Sequence, residues 1–327
     1  MPLRFTLRQL EYLVAVGEAG SIALASERVN VSSPSISAAI AQLEAEFGLA
    51  LFVRKHAHGL TLTPGGREFM VQAKAVLAEA ARLNEIAGGI TGQVRGPLSV
   101  GCLLTFAQVV LPQLRRSFVD AFPAVEFRQV ELDQTGILEG LRSATLDVAL
   151  TYDLDIPSDI RFQPLVSLPP YAVMPDDHPL AGQGSVTAAD LAGHPMVLLD
   201  LPFSADYFLS FFTRAGLRPR IAERTRDIGV MRSMVANGFG YSIANIRPVT
   251  ELAPDGRRLR YVPLSGPVRS LSLGLVMMAG AGTALTVRAF ADHAARRITA
   301  DAAPGLKLRL PGAEDDPGEG GDDAADD

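Results

Sequence analysis

The sequence predicts a mixed α/β chain. An all-α N-terminal segment with a small wing leads into one long linker helix, and two α/β lobes follow. Three observations predict it. Two short amphipathic segments joined by a polar turn fill residues 21–51. Residues 67–90 carry apolar side chains at a helical repeat. Strand-like and helix-like runs alternate from residue 98 onward, as in βαβ units. The chain has 327 residues, 48% of them hydrophobic and only 6% aromatic, with no Trp. That is enough for two or three compact units with aliphatic cores.

The N-terminal pair is read first. Ser21 is placed to cap a short helix with its hydroxyl. The small residues Ala25 and Ser26 permit a close helix crossing. Asn30 falls where the chain must turn and tolerates a left-handed backbone. Ser32 or Ser33 can cap the second helix, and Pro34 suits its first turn. Val31, Ile36, Ile40 and Leu43 share its inner face. Ser33, Ser35, Ser37, Ala38 and Gln42 form an outer face of small side chains. This is a helix-turn-helix, whose second helix is shaped for the DNA major groove. Charge adds little, because residues 1–60 hold five basic and five acidic residues. The local cationic cluster is Arg54 and Lys55, with His56 and His58 beside them.

Around this motif the pattern resembles the N-terminal winged helix-turn-helix of LysR-type transcriptional regulators. The resemblance is carried by Leu7-Arg8-Gln9-Leu10, Gly20-Ser21, Val31-Ser32 with Pro34, and Ile40 with Leu43-Glu44. Leu51-Phe52, Arg54, Leu62-Thr63 and Gly65 complete it. The layout of residues 3–300 also follows the family. The resemblance implies contacts to double-stranded promoter DNA from Ser32, Ser33, Pro34, Ser35, Ser37, Ala38 and Gln42. It implies further contacts from Arg54, Lys55, His56 and Thr63 in the wing. The chain departs from the family at Ser33 (commonly Gln), at Ala38 and Ala39 (commonly Arg or polar) and at Ser26 (commonly Ala). With few long donors on the helix, shape readout and wing contacts gain weight.

After Pro64-Gly65-Gly66, the residues Phe69, Ala73, Val76, Ala80, Leu83, Ala87 and Ile90 repeat at alternating spacings of four and three. That is a coiled-coil seam, with Met70 and Leu77 widening it. A helix with one apolar stripe needs a partner, so a homodimer or homotetramer is expected; packing on its own chain is the alternative.

Residues 92–97 read as a hinge. Strands are predicted at 98–102, 125–131 and 147–151, with helices at 107–121 and 135–143, so a largely parallel sheet is expected. A second set follows at 171–174, 196–199, 205–214, 220–223, 227–236 and 241–243. A strand at 271–278 and a helix at 285–298 return to the first lobe. Two lobes with two crossovers resemble the LysR-type effector domain, which is like a periplasmic binding protein. A small-molecule effector then belongs between the lobes, at the carboxyl ends of strands. That rule nominates Thr105, Phe106, Asp133, Gln134, Thr151, Tyr152, Pro202, Phe203, Ser204, Asp227 and Asn245. Asp133 would repel a simple acid and hints at an effector with donors, such as an amine or amide. Gly238-Phe239-Gly240-Tyr241 reads as a structural turn into a strand.

The expected domains are 1–64 for DNA binding, 65–91 for the linker helix and 92–300 for the effector domain. Within the last, lobe I takes 97–166 and 268–300, and lobe II takes 167–267. The tail 301–327 holds nine acids and two bases, so the rest of the chain is near +1 within a net charge of −6. Its last 17 residues are almost devoid of apolar side chains and are expected to be disordered; a solvated appendage is the plain reading, and competition with phosphate for the DNA-binding face is the sharper one. The single cysteine, Cys102, precludes an intrachain disulfide, and no apolar leader opens the chain, so a reducing cytoplasm is expected. Residues 270–287 lack charge, but a strand, a turn and a helix suit them better than a membrane span. No nucleophile elbow, phosphate loop or zinc spacing is found, so no catalysis, cofactor or metal is expected. A solute-binding module or a thiol sensor built on Cys102 are the competing classes. RNA polymerase is a further partner compatible with the family resemblance.

Overall fold

The computed structural model describes residues 4–55, 59–91, 93–279, 281 and 284–299. His56, His58 and the acidic tail 301–327 lie outside the described residues, as do the side chains of Arg54, Lys55, Ala87 and Ile90.

Helix α1 (Leu7–Ala19) opens with a reciprocal cap between Thr6 and Gln9. Helix α2 (Ile22–Val29) ends on Asn30 at φ 52°, the left-handed turn residue expected there. Helix α3 (Ser33–Phe47) begins behind Ser32, whose hydroxyl accepts from Ser35 N at 3.4 Å, with Pro34 in the first turn. Ser21 precedes α2 in the extended conformation, but its hydroxyl makes no capping bond. Ser26 instead ties the turn, donating from Oγ to Val31 O at 2.6 Å. Ile36, Ala39, Ile40 and Leu43 are the buried side of α3. Ile36 and Ile40 pack with Tyr12, Val16 and Ala25, while Leu43 packs with Leu10, Leu13, Leu51 and Ala73. The wing is the antiparallel pair β1 (Phe52–Lys55) and β2 (Gly59–Leu62), docked by Leu60 N on Gly20 O at 2.8 Å.

The linker helix α4 (Pro64–Thr91) starts one residue before the expected 65, because Thr63 caps it: Gly66 N donates to Thr63 Oγ1 at 2.8 Å. The seam divides. Ala73 is 3% exposed and packs with Phe69 and Leu77 on the chain's own DNA-binding unit. Phe69 meets Phe47 edge-on at 4.7 Å. These positions are therefore intrachain core, whereas Val76 and Leu83 remain exposed, Leu83 at 68%.

Lobe I holds β3 (Gly96–Leu103), α5 (Leu104–Ala121), β4 (Val125–Leu132), α6 (Gln134–Arg142), β5 (Val148–Tyr152) and β6 (Ile160–Leu168). Lobe II holds β7 (Tyr171–Pro175), α7 (Ala188–Ala192), β8 (Pro195–Leu199), α8 (Ser204–Arg214), β9 (Arg220–Thr225), α9 (Ile228–Ala236), β10 (Ser242–Ala244) and β11 (Leu259–Pro263). The chain then returns as β12 (Leu271–Met278) and α10 (Leu285–Arg297). The lobe I sheet has the order β4-β3-β5-β12-β6. Only β4, β3 and β5 are mutually parallel; β12 runs against β5 and β6. The expected largely parallel sheet is thus mixed, since β6 leaves for lobe II and β12 comes back from it. In lobe II, β10 and β11 flank β7 antiparallel, and β8 pairs β9 in parallel. The turn before β10 needs its glycine: Gly240 has φ 137°, and a Cβ there would lie 2.1 Å from Pro195 O.

Within residues 270–287, Leu271–Met278 form β12 and α10 opens at Leu285, and no described helix is long and apolar enough to cross a membrane.

Candidate DNA-binding face and interlobe cavity

The outer face of α3 is as the small residues require. Ser32, Pro34, Ser35, Ser37, Ala38 and Gln42 are exposed, and Ser33 is half-buried. Three of its hydroxyls are engaged within the helix: Ser32 meets Ser35 at 2.8 Å, and Ser37 donates to Ser33 O at 2.9 Å. Gln42 Oε1 accepts from Gln9 Nε2 at 2.9 Å, so α1 fixes the longest side chain of this face, a pairing with no signal in sequence spacing. Thr63 donates to Ala50 O at 2.7 Å and caps α4, so its hydroxyl is engaged within the chain. Nearby cations are also engaged. Glu18 takes Arg28 at 2.7 Å and Lys74 at 3.0 Å. Burial pushes the Glu18 carboxyl up, but Lys74 and Arg28 together outweigh it and hold the group below its ordinary range.

Between the lobes lie two small cavities of about 10 Å³ each. They share Thr105, Ile228, Ala244 and Ile246 as walls. One is completed by Tyr152, Leu199, Ser204, Phe208 and Asn245. The other is completed chiefly by Gln108, Met231, Arg232, Pro248 and Tyr261. The carboxyl ends of β3, β5, β8 and β10 therefore converge, as the strand-end rule requires. Each cavity has room for about one water, so a larger molecule needs the lobes to part.

Of the nominated residues, Thr105, Tyr152, Ser204 and Asn245 meet here. Thr105 Oγ1 and Asn245 Oδ1 are buried without a hydrogen-bond partner among the described residues. Ser204 is aimed by Phe203, which sits at φ 63° in a strained turn closed by Ser204 N on Pro202 O at 2.7 Å. Burial raises the Tyr152 phenol well above its ordinary range, against a smaller opposing effect of Thr105.

The others do not line the cavities. Phe106 is fully buried and stacks edge-on against Tyr152 at 5.2 Å. Thr151 donates to Gln134, whose Nε2 donates to Leu154 O at 2.9 Å, a buried clasp between β5 and α6. Asp227 caps α9 through Val230 N at 2.8 Å. Asp133 caps α6 through Gly136 N and takes Arg226 from lobe II, both at 2.9 Å. Its charge is already met, so it gives no reason to expect a cationic or amide effector. Sequence reading missed Ile228, Ile246, Arg232 and Tyr261, because nothing in an apolar or isolated residue separates a cavity wall from a core.

Asn245 also reaches the hinge. Its Nδ2 donates to Leu168 O and Tyr207 Oη, both at 3.0 Å. Tyr207 Oη donates to Arg269 O at 2.5 Å, and Arg269 pairs with Asp153 at 3.0 Å. Leu168 and Arg269 flank the two crossovers between the lobes.

Cys102, in β3, is fully buried, and burial with the nearby Glu131 carboxylate pushes its thiol well above the ordinary value. A buried, protonated thiol is a poor nucleophile.

Comparison with known proteins agrees with both halves. Residues 7–67 match the family described as bacterial regulatory helix-turn-helix protein, lysR family, and residues 91–299 match the LysR substrate binding domain. The DNA-binding transcriptional dual regulator OxyR of Escherichia coli is 30% identical over 84% of this chain and 90% of its own. The structure of HinK, a LysR family transcriptional regulator from Pseudomonas aeruginosa, is 36% identical with a TM-score of 0.60, covering 90% of this chain and 99% of its own. Full-length OxyR from Pseudomonas aeruginosa is 25% identical with a TM-score of 0.71, covering 89% and 98%. With a helix-turn-helix, a two-lobed α/β unit and these matches over nearly its whole described length, the chain belongs to the LysR family of transcriptional regulators.

Proposed function

We propose that this protein acts in the cytoplasm, without catalysis, as a homodimer or homotetramer that binds promoter DNA and answers to a small molecule held between its lobes. The observation that carries the reading is α3. Its exposed face of Pro34, Ser35, Ser37, Ala38 and Gln42, with only Gln42 tied to α1 through Gln9, is small enough for a close approach to base edges. Residues 1–64 and the wing at Arg54, Lys55 and His56 serve DNA, residues 65–91 pair the subunits, and residues 92–300 sense the effector.

Asn245 supports a route for the signal. One end of its amide is unpaired at the cavity, and the other holds both crossovers. A molecule bonded to Oδ1 is therefore one side chain from the hinge, and its arrival biases the lobe angle.

Two relatives from Escherichia coli bear the name hydrogen peroxide-inducible genes activator. That activity is not carried over. This chain has one cysteine, and it is buried.

The test is a footprint of the purified protein on genomic fragments across a salt series. Protection over two or more half-sites, weakening steeply with salt, is expected. Absence of selective protection at low salt, with and without cell-extracted small molecules, would overturn the reading.

A further inference from the structure

The second interlobe cavity has a feature that the strand-end rule did not nominate. Arg232 Nε, on α9, and Tyr261 Oη, on β11, are both buried there without a well-formed hydrogen bond among the described residues, and the guanidinium lies close enough to the phenol to oppose the upward push of burial on it. Tyr261 is only 6% exposed. The Arg232 fork is held in place by its Nη2, which donates to Leu252 O at 2.6 Å. Among the described residues no carboxylate pairs with this guanidinium. Glu251, near Tyr261, is engaged by Arg247 at 2.7 Å and Arg260 at 3.3 Å. Asp133 is engaged by Arg226. Arg232 is therefore the cation at this end without a carboxylate partner among the described residues, although Glu251 offsets part of its effect on Tyr261. Arg232 as a whole is half-buried, but a buried N–H donor left without a partner is costly, and an incoming anion removes that cost.

The other end differs. Asn245 Oδ1 can only accept, so it calls for an N–H or O–H donor. The wall shared by the two cavities is Ile228, Ala244 and Ile246, with Thr105 as its one hydroxyl.

We propose that the effector is a small monocarboxylate whose acid group pairs with Arg232 and Tyr261, whose apolar body lies on Ile228 and Ile246, and whose far end donates to Asn245. The assignment rests on the interlobe space being the effector site. It makes the pocket select acids over amides through a charge-assisted bond to Arg232. Because both cavities are now water-sized, binding must be coupled to lobe opening, so the acid group is recognised during the conformational change.

The test is titration calorimetry on the full-length protein. The probes are short aliphatic and aromatic monocarboxylates bearing a distal hydroxyl, each with its primary amide and its primary amine. At least one acid is expected to bind at millimolar concentration or better, and about tenfold or more tighter than its amide and amine. Arg232→Gln should abolish that preference. Tyr261→Phe, which removes one hydroxyl and leaves the ring, should weaken the acid severalfold, with melting temperature confirming the fold in both. The preference surviving in Arg232→Gln, an amide or amine matching its acid, or no acid binding would overturn the proposal. Ile228→Trp, which fills both cavities, separates the two readings. Amide or amine binding that Ile228→Trp abolishes keeps the interlobe site and removes the acid. Acid binding that survives Ile228→Trp removes the site itself and the proposal with it.

Discussion

Arg226 Nη2 and Asp133 Oδ2 meet at 2.9 Å, joining the end of β9 in lobe II to the N-terminus of α6 in lobe I. Each neighbours a helix cap, since Asp133 caps α6 and Asp227 caps α9, the helix that walls both cavities. The pair therefore acts as a latch on a closed arrangement. Arg226 is 68% exposed, so the latch is worth at most about 1 kcal/mol in water. Arg226→Ala is expected to leave the melting temperature nearly unchanged and to raise effector affinity by up to about fivefold, because less work is needed to part the lobes. High salt should shrink the difference in affinity between variant and wild type, because it screens a latch that only the wild type has. Calorimetry at two ionic strengths checks it; weaker binding in the variant would show that the pair stabilises the occupied state.

The entry to the linker helix is a second point of control. Gly66 has an ordinary helical backbone, yet a Cβ there would lie 2.1 Å from Leu51 O. Gly48 is the contrast, with φ +60° and open space around its Cβ position. Gly66→Ala must push α4 away from the DNA-binding unit, at an expected cost of about 1–3 kcal/mol, while Gly48→Ala costs about 1 kcal/mol from backbone strain alone. Thermal melting of the two variants checks the order. Operator affinity should fall in Gly66→Ala even where the chain stays folded, because α4 sets where α3 points.

The helix-turn-helix was legible because its turn needs particular residues. Asn30 takes the left-handed conformation, Ser32 caps, and Pro34 sits where its missing N–H costs nothing. Reading hydroxyls by type worked for Ser32 and misled for Ser21, and it did not foresee that Thr63 caps α4, because surroundings decide whether a hydroxyl caps. Strand β6 was missed because Pro164 interrupts it. It survives as an edge strand, with a register shift at Leu273/Gly274 in its partner. Strand β11 was missed because it is only five residues long and follows the turn residues Pro254, Asp255 and Gly256. At the cavity, Thr105 and Asn245 could be named from their places at strand ends. Arg232 could not, because its role lies in lacking a partner, which only packing reveals.

His293 gives a pH signature. It is 4% exposed on α10 and bonded through Nε2 to Ser117 Oγ at 2.8 Å. Burial, with Arg297 and Arg296 nearby, lowers its pKa to about 4. The unfolded chain holds this proton near pH 6.5, so between pH 6.5 and 4 it binds more protons than the folded chain. Stability should fall as pH drops through that window and show no further loss from this group below it. His293→Gln is expected to be less stable at neutral pH and to flatten the pH dependence between 6.5 and 4. Chemical denaturation at several pH values checks it; an unchanged slope would place the sensitivity elsewhere.

The divided seam of α4 makes the last prediction sharp. Ala73 is 3% exposed within its own chain, whereas Leu83, ten residues on, is 68% exposed. If Leu83 belongs to the subunit interface, Leu83→Asp leaves each chain folded and breaks the pairing. Two leucines lost per dimer, at about 1.5–3 kcal/mol each, raise the dimer dissociation constant about a hundredfold or more. Operator binding should weaken in step, since a monomer presents one α3 to one half-site. Ala73→Asp should instead unfold the DNA-binding unit, because its carboxylate would be buried among Leu10, Leu13, Leu43 and Leu51. Analytical ultracentrifugation beside circular dichroism separates the two. A Leu83→Asp protein that stays dimeric would move the interface off this face of the helix and onto the effector lobes.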